Sequence, residues 1–573
     1  MSIDLKGVPG AALVALLLFC SWGLSLPASP AWGWDESMHV QLPAARMLVA
    51  AGEGSFDLVS AAFLDCQQYP PMWPMVLACV QAVFGLSEQV ARLASLGAWC
   101  LTLFGLFLLG LELARAQRSS PLQAERYEGT LAWLLMGFGA LSPLCLHYAG
   151  TLFLEIPFTL CAVFSLRAWL RRGPRAGRRN LAWREFVAGL WITAACFSKF
   201  NYGILLAFGL GLDATCDAWL ELRAGRLSEY LRRCAFLILA PAVAIVFWFV
   251  LPLPEGFATG AEHRAALAGF LGGNREIAGT PWDQRLLQAA AHGALSVRFF
   301  VLLLVCCLYS LREIGRDGVR LMWLVWLAAG LPVWTHNFHL DRFLIPGGPA
   351  FWALAALGLV GLLPAAPRPR ALVLVGLAAL CFLAPGRDAP WLAERLGLLS
   401  HEPAVRAHQE RALAGWSRLA ARRPLPTAGA SRRLHDGLLS LAAAEAGPKE
   451  RVGWLGTSSE MAPAAIQLGL FFAGGSRQRF LRDATREMDI TFAARDPEWS
   501  LGRLSTFADG FDLLFATDPV DLGGRTGRAF VADYSRRLVE DLGWRIKRLG
   551  LVQDDSGSAP ISRIYLYALR PPK

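Results

Sequence analysis

The sequence predicts an α-helical integral membrane protein with about 11 transmembrane helices, one juxtamembrane helix and a C-terminal α/β domain outside the membrane. Three observations predict it. The 573 residues are 55% hydrophobic and 17% charged, with a mean hydropathy of +0.40, too apolar for a soluble chain of this size. Apolar runs long enough to cross a bilayer recur as far as residue 386. The loops between them are arginine-rich in alternation, as the positive-inside rule requires. The net charge of +10 therefore reports topology, not nucleic-acid binding.

The runs fall at 8–28, 90–113, 128–146, 152–170, 184–198, 200–219, 234–253, 294–311, 319–335, 343–363 and 371–386. The first resembles a signal peptide in length, but its positive region is only Lys6 and more spans follow, so it is read as an uncleaved span. A shorter run, 70–86, follows Tyr69 and opens "YPPMWP"; its prolines disfavour a full crossing, and it is read as re-entrant or juxtamembrane. With that reading, Arg115, Arg118 and Arg126, the stretch "RRGPRAGRRN" from Arg171, and Arg223, Arg226, Arg232 and Arg233 share one side. Arg312, Arg316, Arg320, Arg368 and Arg370 fall there too, which makes that side cytoplasmic and the N-terminus inside. The alanine- and arginine-rich composition suits a bacterial inner (cytoplasmic) membrane. Most of the twelve cysteines lie in apolar runs, where they act as small hydrophobes, and no spacing suggests a zinc site.

The domain organisation follows. A transmembrane domain covers 1–386, with its first outward loop at 29–89; a helical connector covers 387–433; a soluble extracytoplasmic domain covers 434–573. Strand-like runs there are "RVGWLG", "DITFAA", "FDLLFA", "WRIKRLGLVQ" and "SRIYLYAL", among helical stretches. "DDSGS" reads as the turn of a final hairpin. No internal repeat or phosphate-binding glycine loop occurs.

The unusual polar residues gather on the outward side. Charge at membrane depth costs several kcal/mol unless paired or solvated, so such residues face cavities. In "WGWDESMHV", Asp35 and Glu36 start an amphipathic helix carrying Met38, Leu42, Ala45 and Leu48; they are either caps at a helix N-terminus or the chemical centre. Lys199, close to Tyr202 in "CFSKFNYG", is either a snorkelling lysine or a point charge for a lipid-linked phosphate. In "HNFHLDRFLIP", Arg342 suits bidentate phosphate recognition, with His336, His339 and Asp341 beside it. Glu155, before Ile156 and Pro157, wants a partner or a cavity, and His147 and Tyr148 precede it on the same side. A divalent cation held by these acids and histidines is conceivable, but no ligand spacing demands one.

The order "WDESMHVQLPAARML", "YPPMWPMVLACVQAVFGLSEQVARLAS", "HYAGTLFLEIPF", "CFSKFNYGILL" and "HLDRFLIPGGPAF" resembles the polytopic GT-C class glycosyltransferases. Within that class it is most similar to the protein O-mannosyltransferase and aminoarabinose lipid A transferase group, the PMT-like superfamily. The resemblance implies transfer of a sugar from a polyprenyl-phosphate donor to a lipid, glycan or protein acceptor on the outer face of the membrane. It makes Asp35 the catalytic acid position, Glu36 its neighbour, and Lys199 and Arg342 the phosphate-binding cations, with Glu155, Tyr69, His147, Tyr202, His336 and His339 around the cavity. One base opposite a leaving phosphate predicts inversion. A transporter or flippase for a lipid-linked saccharide is the alternative; such proteins tend to carry repeats, and none is present.

Overall fold

A computed structural model of the protein describes residues 7–24, 37–64, 69–116, 121–172, 178–250, 297–335, 341–363, 432–445, 452–455, 512–519, 538–553 and 563–572, with positions 373, 376, 394 and 536. It comprises two compact units. The first is Met1–Leu26, Gln67–Trp73 and Arg92–Leu425; the second is Pro27–Cys66, Pro74–Ala91 and Pro426–Lys573.

The helices, in chain order, are α1 (Val8–Gly23), α2 (Leu42–Gly52), α3 (Phe56–Leu64), α4 (Met72–Phe84), α5 (Glu88–Ala116), α6 (Pro121–Ala140), α7 (Pro143–Ala149) and α8 (Glu155–Leu170). They continue with α9 (Arg178–Ser198), α10 (Phe200–Arg223), α11 (Leu227–Ile245), α12 (Val297–Tyr309), α13 (Asp317–Thr335), α14 (Gly348–Leu362) and α15 (Arg432–Glu445). Among the described residues four helical stretches are long and apolar enough to cross a membrane: Glu88–Ala116, Phe200–Arg223, Leu227–Trp248 and Leu344–Leu362.

Several expected spans are shorter or broken, for local reasons. The run 128–146 becomes α6 and α7, because Ser142 leaves the helical conformation and its Oγ accepts from the Cys145 N–H at the start of α7, with Pro143 in the first turn. The run 152–170 begins helically only at Glu155. Helix α4 has 13 residues, about 20 Å of rise against a hydrocarbon core of roughly 30 Å. The expected span at 371–386 lies largely outside the described residues.

In the first unit α9 is the hub. It packs against α8, α10 and α11, while α10 packs on α13 and α14 packs on α6, α12 and α13. Small residues set these approaches. A Cβ on Gly110 would stand 2.5 Å from the Ala132 Cα, one on Gly189 2.3 Å from the Leu237 carbonyl oxygen, and one on Gly358 1.7 Å from the Cys306 carbonyl oxygen. Large buried rings such as Trp99, Phe107 and Phe158 fill the remaining space.

The second unit holds the first-loop helices and the C-terminal segment. A π-helical turn, Ser37–Gln41, leads into α2, which packs on α3. Its buried face is broader than a single stripe: Val40, Leu42, Ala44, Ala45, Met47 and Ala50 are all buried. Strands β1 (Val452–Leu455), β2 (Leu513–Pro519), β3 (Arg545–Gln553) and β4 (Arg563–Arg570) form a sheet of order β1-β2-β4-β3. β1 pairs parallel with β2, in the register Val452 to Leu513, and the other pairings are antiparallel. Parallel pairing needs a long crossover, which residues 456–512 supply in length. α15 packs on β3 and β4, where Glu445 takes Lys547 at 2.7 Å and its carbonyl accepts from Arg570 at 3.1 Å. The expected strand "DITFAA" lies outside the described residues, as does most of the expected helical connector 387–433.

The elbow between α9 and α10 depends on Gly203, whose added Cβ would lie 2.3 Å from the Cys196 Cα. Gly203→Ala should force the two helices apart and destabilise the protein by about 1–3 kcal/mol. Gly211→Ala, in the same helix with nothing within 4 Å, should be neutral or stabilising by up to about 1 kcal/mol. Thermal unfolding of the two variants in detergent compares them directly.

Candidate active site

Lys199 sits between α9 and α10 in extended conformation, φ −158° and ψ 97°. The helices do not simply stop there: the Lys199 N–H donates to Ala195 at 3.2 Å and its carbonyl accepts from Gly203 at 2.9 Å. One residue outside helical geometry thus turns the side chain inward. Glu155 opens α8, where a carboxylate favours the helix N-terminus. The two meet: Lys199 Nζ donates to Glu155 Oε1 at 2.6 Å, with Glu155 0% and Lys199 3% exposed. Burial excludes the snorkelling reading of Lys199, whose head would be in water.

Two tyrosines flank the ammonium. It lies 5.2 Å from the Tyr69 ring centroid and 4.9 Å from that of Tyr202. Both distances are within reach of a cation–π attraction. Tyr69 is seated by Phe200 at 6.2 Å and Tyr202 by Phe158 at 5.6 Å. Ser198 donates to the Ala194 carbonyl at 2.8 Å, contacts Cys161 Sγ at 3.6 Å and lies 3.8 Å from Met72 Sδ. These contacts tie the elbow to α8 and to the start of α4.

The sequence reading missed Arg92 as a site residue. It is 1% exposed and donates to the Gly150 carbonyl at 3.0 Å, fixing the short link between α7 and α8 that delivers Glu155. The signal was present in "SEQVARLAS", an arginine at the start of an apolar run, where membrane burial demands an acceptor.

Asp341–Gly347 forms a 3-10 turn that packs against α7, α8, α13 and α14. The backbone carrying Arg342 is therefore next to the helix that Glu155 opens and to α7, which carries His147. The structure thus joins Glu155, Lys199, Tyr69 and Tyr202 directly, and brings the Arg342 and His147 segments alongside. Asp35, Glu36, His336 and His339 lie outside the described residues. Among the described residues no group of three or more His, Cys, Asp or Glu is placed to hold a metal ion.

Tyr202 also lines a narrow apolar crevice between α8, α10, α13 and α14, together with Phe158, Leu166, Leu206, Val325 and Pro349. Its walls are apolar, and Tyr202, which lines it, also flanks the Lys199 ammonium.

Breaking a buried ion pair leaves an uncompensated charge, which costs more than the pair itself contributes. Lys199→Met should therefore destabilise the protein by about 3–5 kcal/mol, and Glu155→Gln in the same chain should recover most of the loss. Denaturant or thermal unfolding of the two singles and the double checks this. Additive losses would show that the groups are not coupled.

No protein-family model matches the sequence, and no curated protein sequence matches it. Solved structures do. The crystal structure of ArnT from Cupriavidus metallidurans bound to undecaprenyl phosphate is similar over 98% of this chain and 98% of that one, with TM-score 0.55 and 15% identity. Its apo form gives 0.56 at 15% identity, over 99% and 98%. The Archaeoglobus fulgidus oligosaccharyltransferase in complex with zinc and sulfate gives 0.51 at 11% identity, over 88% of this chain and 67% of that one. The mycobacterial arabinofuranosyltransferase AftD gives 0.51 at 15% identity, over 100% of this chain but 40% of that one. At such identities the likeness is one of fold, and it agrees with the motif order in the sequence: this chain has the GT-C fold.

Proposed function

We propose that the protein is a membrane glycosyltransferase that moves a sugar from a polyprenyl-phosphate donor to a lipid, glycan or protein acceptor on the outer face of the membrane. One observation carries the reading: a buried cation, Lys199, held by Glu155 and two tyrosines at the end of an apolar crevice. A lipid phosphate needs this combination, a dry groove for its chain and a fixed positive charge for its head. The likeness to a protein solved with undecaprenyl phosphate supports the same ligand class.

The chemistry assigns roles to the remaining residues. As the acceptor attacks C1 of the sugar, its proton passes to the Asp35 carboxylate, the bond from C1 to the phosphate oxygen breaks, and the phosphate leaves with the electron pair. Lys199 and Arg342 meet the developing negative charge; because Lys199 is already held in place, little reorganisation is required at that moment. A single displacement of this kind inverts the anomeric centre. Glu36 orients the acceptor or Asp35, and His147, His336 and His339 belong to the cavity wall. Any divalent cation would be held by the acids and histidines of the outward loops.

Two experiments test the reading. Purified protein is incubated with labelled polyprenyl-phosphate sugars and candidate acceptors. The wild type should transfer and Asp35→Asn should lose about 10²–10⁴-fold in rate. Near wild-type transfer by a folded Asp35→Asn would remove Asp35 from its role, and transbilayer movement of the donor without transfer would favour the flippase. Ala329→Phe, which fills the crevice, should raise KM for a long-chain donor by roughly tenfold and leave a short-chain donor little changed.

A further inference from the structure

The opposite end of the same helices holds a second cluster of charge that the transfer reaction does not use. Helix α8 begins at Glu155 and is 16 residues long, so its far end lies about 24 Å away. Arg171 Nη2 contacts Glu112 Oε1 at 2.6 Å, and Arg115 Nη1 contacts the same oxygen at 3.1 Å. Arg167, one turn earlier on α8, lies among Arg171, Arg115 and Glu112, and its Nε is buried with no hydrogen-bond partner among the described residues. Arg172 pairs with the fully buried Glu185, which Arg233 also reaches at 3.2 Å. Arg184 and Arg233 donate to the Arg171 and Arg172 carbonyls, each at 3.1 Å, capping the end of α8.

Six guanidinium groups therefore share two carboxylates. The loop between the pieces adds no acid: from Arg171 to Arg184 the sequence is "RRGPRAGRRNLAWR". Among the described residues, Glu221 faces Arg233 but is held by Arg226 at 2.7 Å, and Asp213 is reached through Trp169, whose ring lies under Arg172 at 3.8 Å and whose Nε1 donates to Asp213 Oδ2 at 2.9 Å. Arg320 engages Asp213 and its neighbour Asp217 at 2.8 and 2.7 Å, so that acid is already shared. Exposed apolar side chains lie beside it: Trp183, next to Arg184, is 64% exposed, and Leu190 on the same helix is exposed too, as residues at a membrane interface are.

We infer that this arginine cluster is a binding site for the headgroup of an anionic phospholipid, in the leaflet that the arginine pattern predicts to be cytoplasmic. A phosphodiester supplies the missing negative charge in the planar, two-oxygen geometry that guanidinium groups recognise. The lipid's chains lie along the exposed apolar face beside Trp183. Basic pockets between helices at this depth retain such lipids, each cation contributing about 1 kcal/mol, or roughly fivefold in affinity. Its distance from Lys199 makes it separate from the donor site, and its occupancy does not depend on the transfer reaction.

The test uses the full-length protein in detergent, titrated with phosphatidylglycerol, phosphatidylcholine or inorganic phosphate. Retained lipid is read by native mass spectrometry, and stability by thermal unfolding. Phosphatidylglycerol should bind saturably and raise the unfolding temperature, and the other two should do neither. Arg167→Gln with Arg184→Gln removes two guanidinium groups that carry none of the ion pairs above, and should weaken phosphatidylglycerol binding by roughly 25-fold. Arg184→Ala, at an exposed position, gives a smaller loss of roughly fivefold and guards against misfolding of the double variant. Equal retention of phosphatidylcholine and phosphatidylglycerol, or unchanged binding by Arg184→Ala, overturns the site. Stabilisation by inorganic phosphate as strong as that by the lipid overturns the lipid assignment.

Discussion

The architecture around the candidate site depends on one constraint: a lysine and a glutamate 44 residues apart must stay in contact where water does not reach them. In an apolar interior neither charge is tolerable alone, and together they roughly break even against an apolar pair. The value of the pair is therefore positional. Glu155 is placed by the start of α8 and by Arg92 holding the link before it. Lys199 is placed by the single extended residue between α9 and α10. Shifting either helix by one residue would turn a charge into the packing between helices, so the local breaks in helicity are held by the requirement that the two groups meet.

The same geometry creates the crevice. The crevice lies between α8, α10, α13 and α14, with Pro346 of the turn Asp341–Gly347 and Pro349 in its wall. The aromatic contacts serve the same end: Phe158 and Tyr202 belong both to the crevice wall and to the shell around the ammonium.

Much of this was legible in the sequence, and what was not has a physical cause. Glu155 and Lys199 stood out because charge inside apolar runs needs an explanation, and the arginine count put them on one side. Their pairing was not legible, since no local pattern encodes a contact between residues 44 positions apart. One span boundary failed where hydropathy ran past a break, at Ser142, whereas the break at Lys199 falls where the runs 184–198 and 200–219 meet. Arg92 was hidden by the opposite effect, a polar side chain at a helix start that reads as interfacial until its acceptor is seen. In the C-terminal segment, alternation located β1 to β4 well, while strand order and the parallel pairing of β1 with β2 depend on contacts that alternation does not specify.

Helix α8 shows how both ends of the molecule are served by one physical rule. Its N-terminus, with partial positive charge, carries the carboxylate of Glu155; its C-terminus, with partial negative charge, is met by Arg167, Arg171 and Arg172 and capped by Arg184 and Arg233. The helix dipole favours both arrangements, so neither cluster opposes the backbone that holds it. The two ends differ in how their charge is balanced. At the first, one cation faces one anion inside the protein, which suits a site that must hold its geometry in the absence of ligand. At the second, guanidinium groups outnumber carboxylates among the described residues, which is the basis for the proposed anionic lipid. An anionic headgroup bound there would supply the balance and relieve the repulsion between neighbouring guanidinium groups.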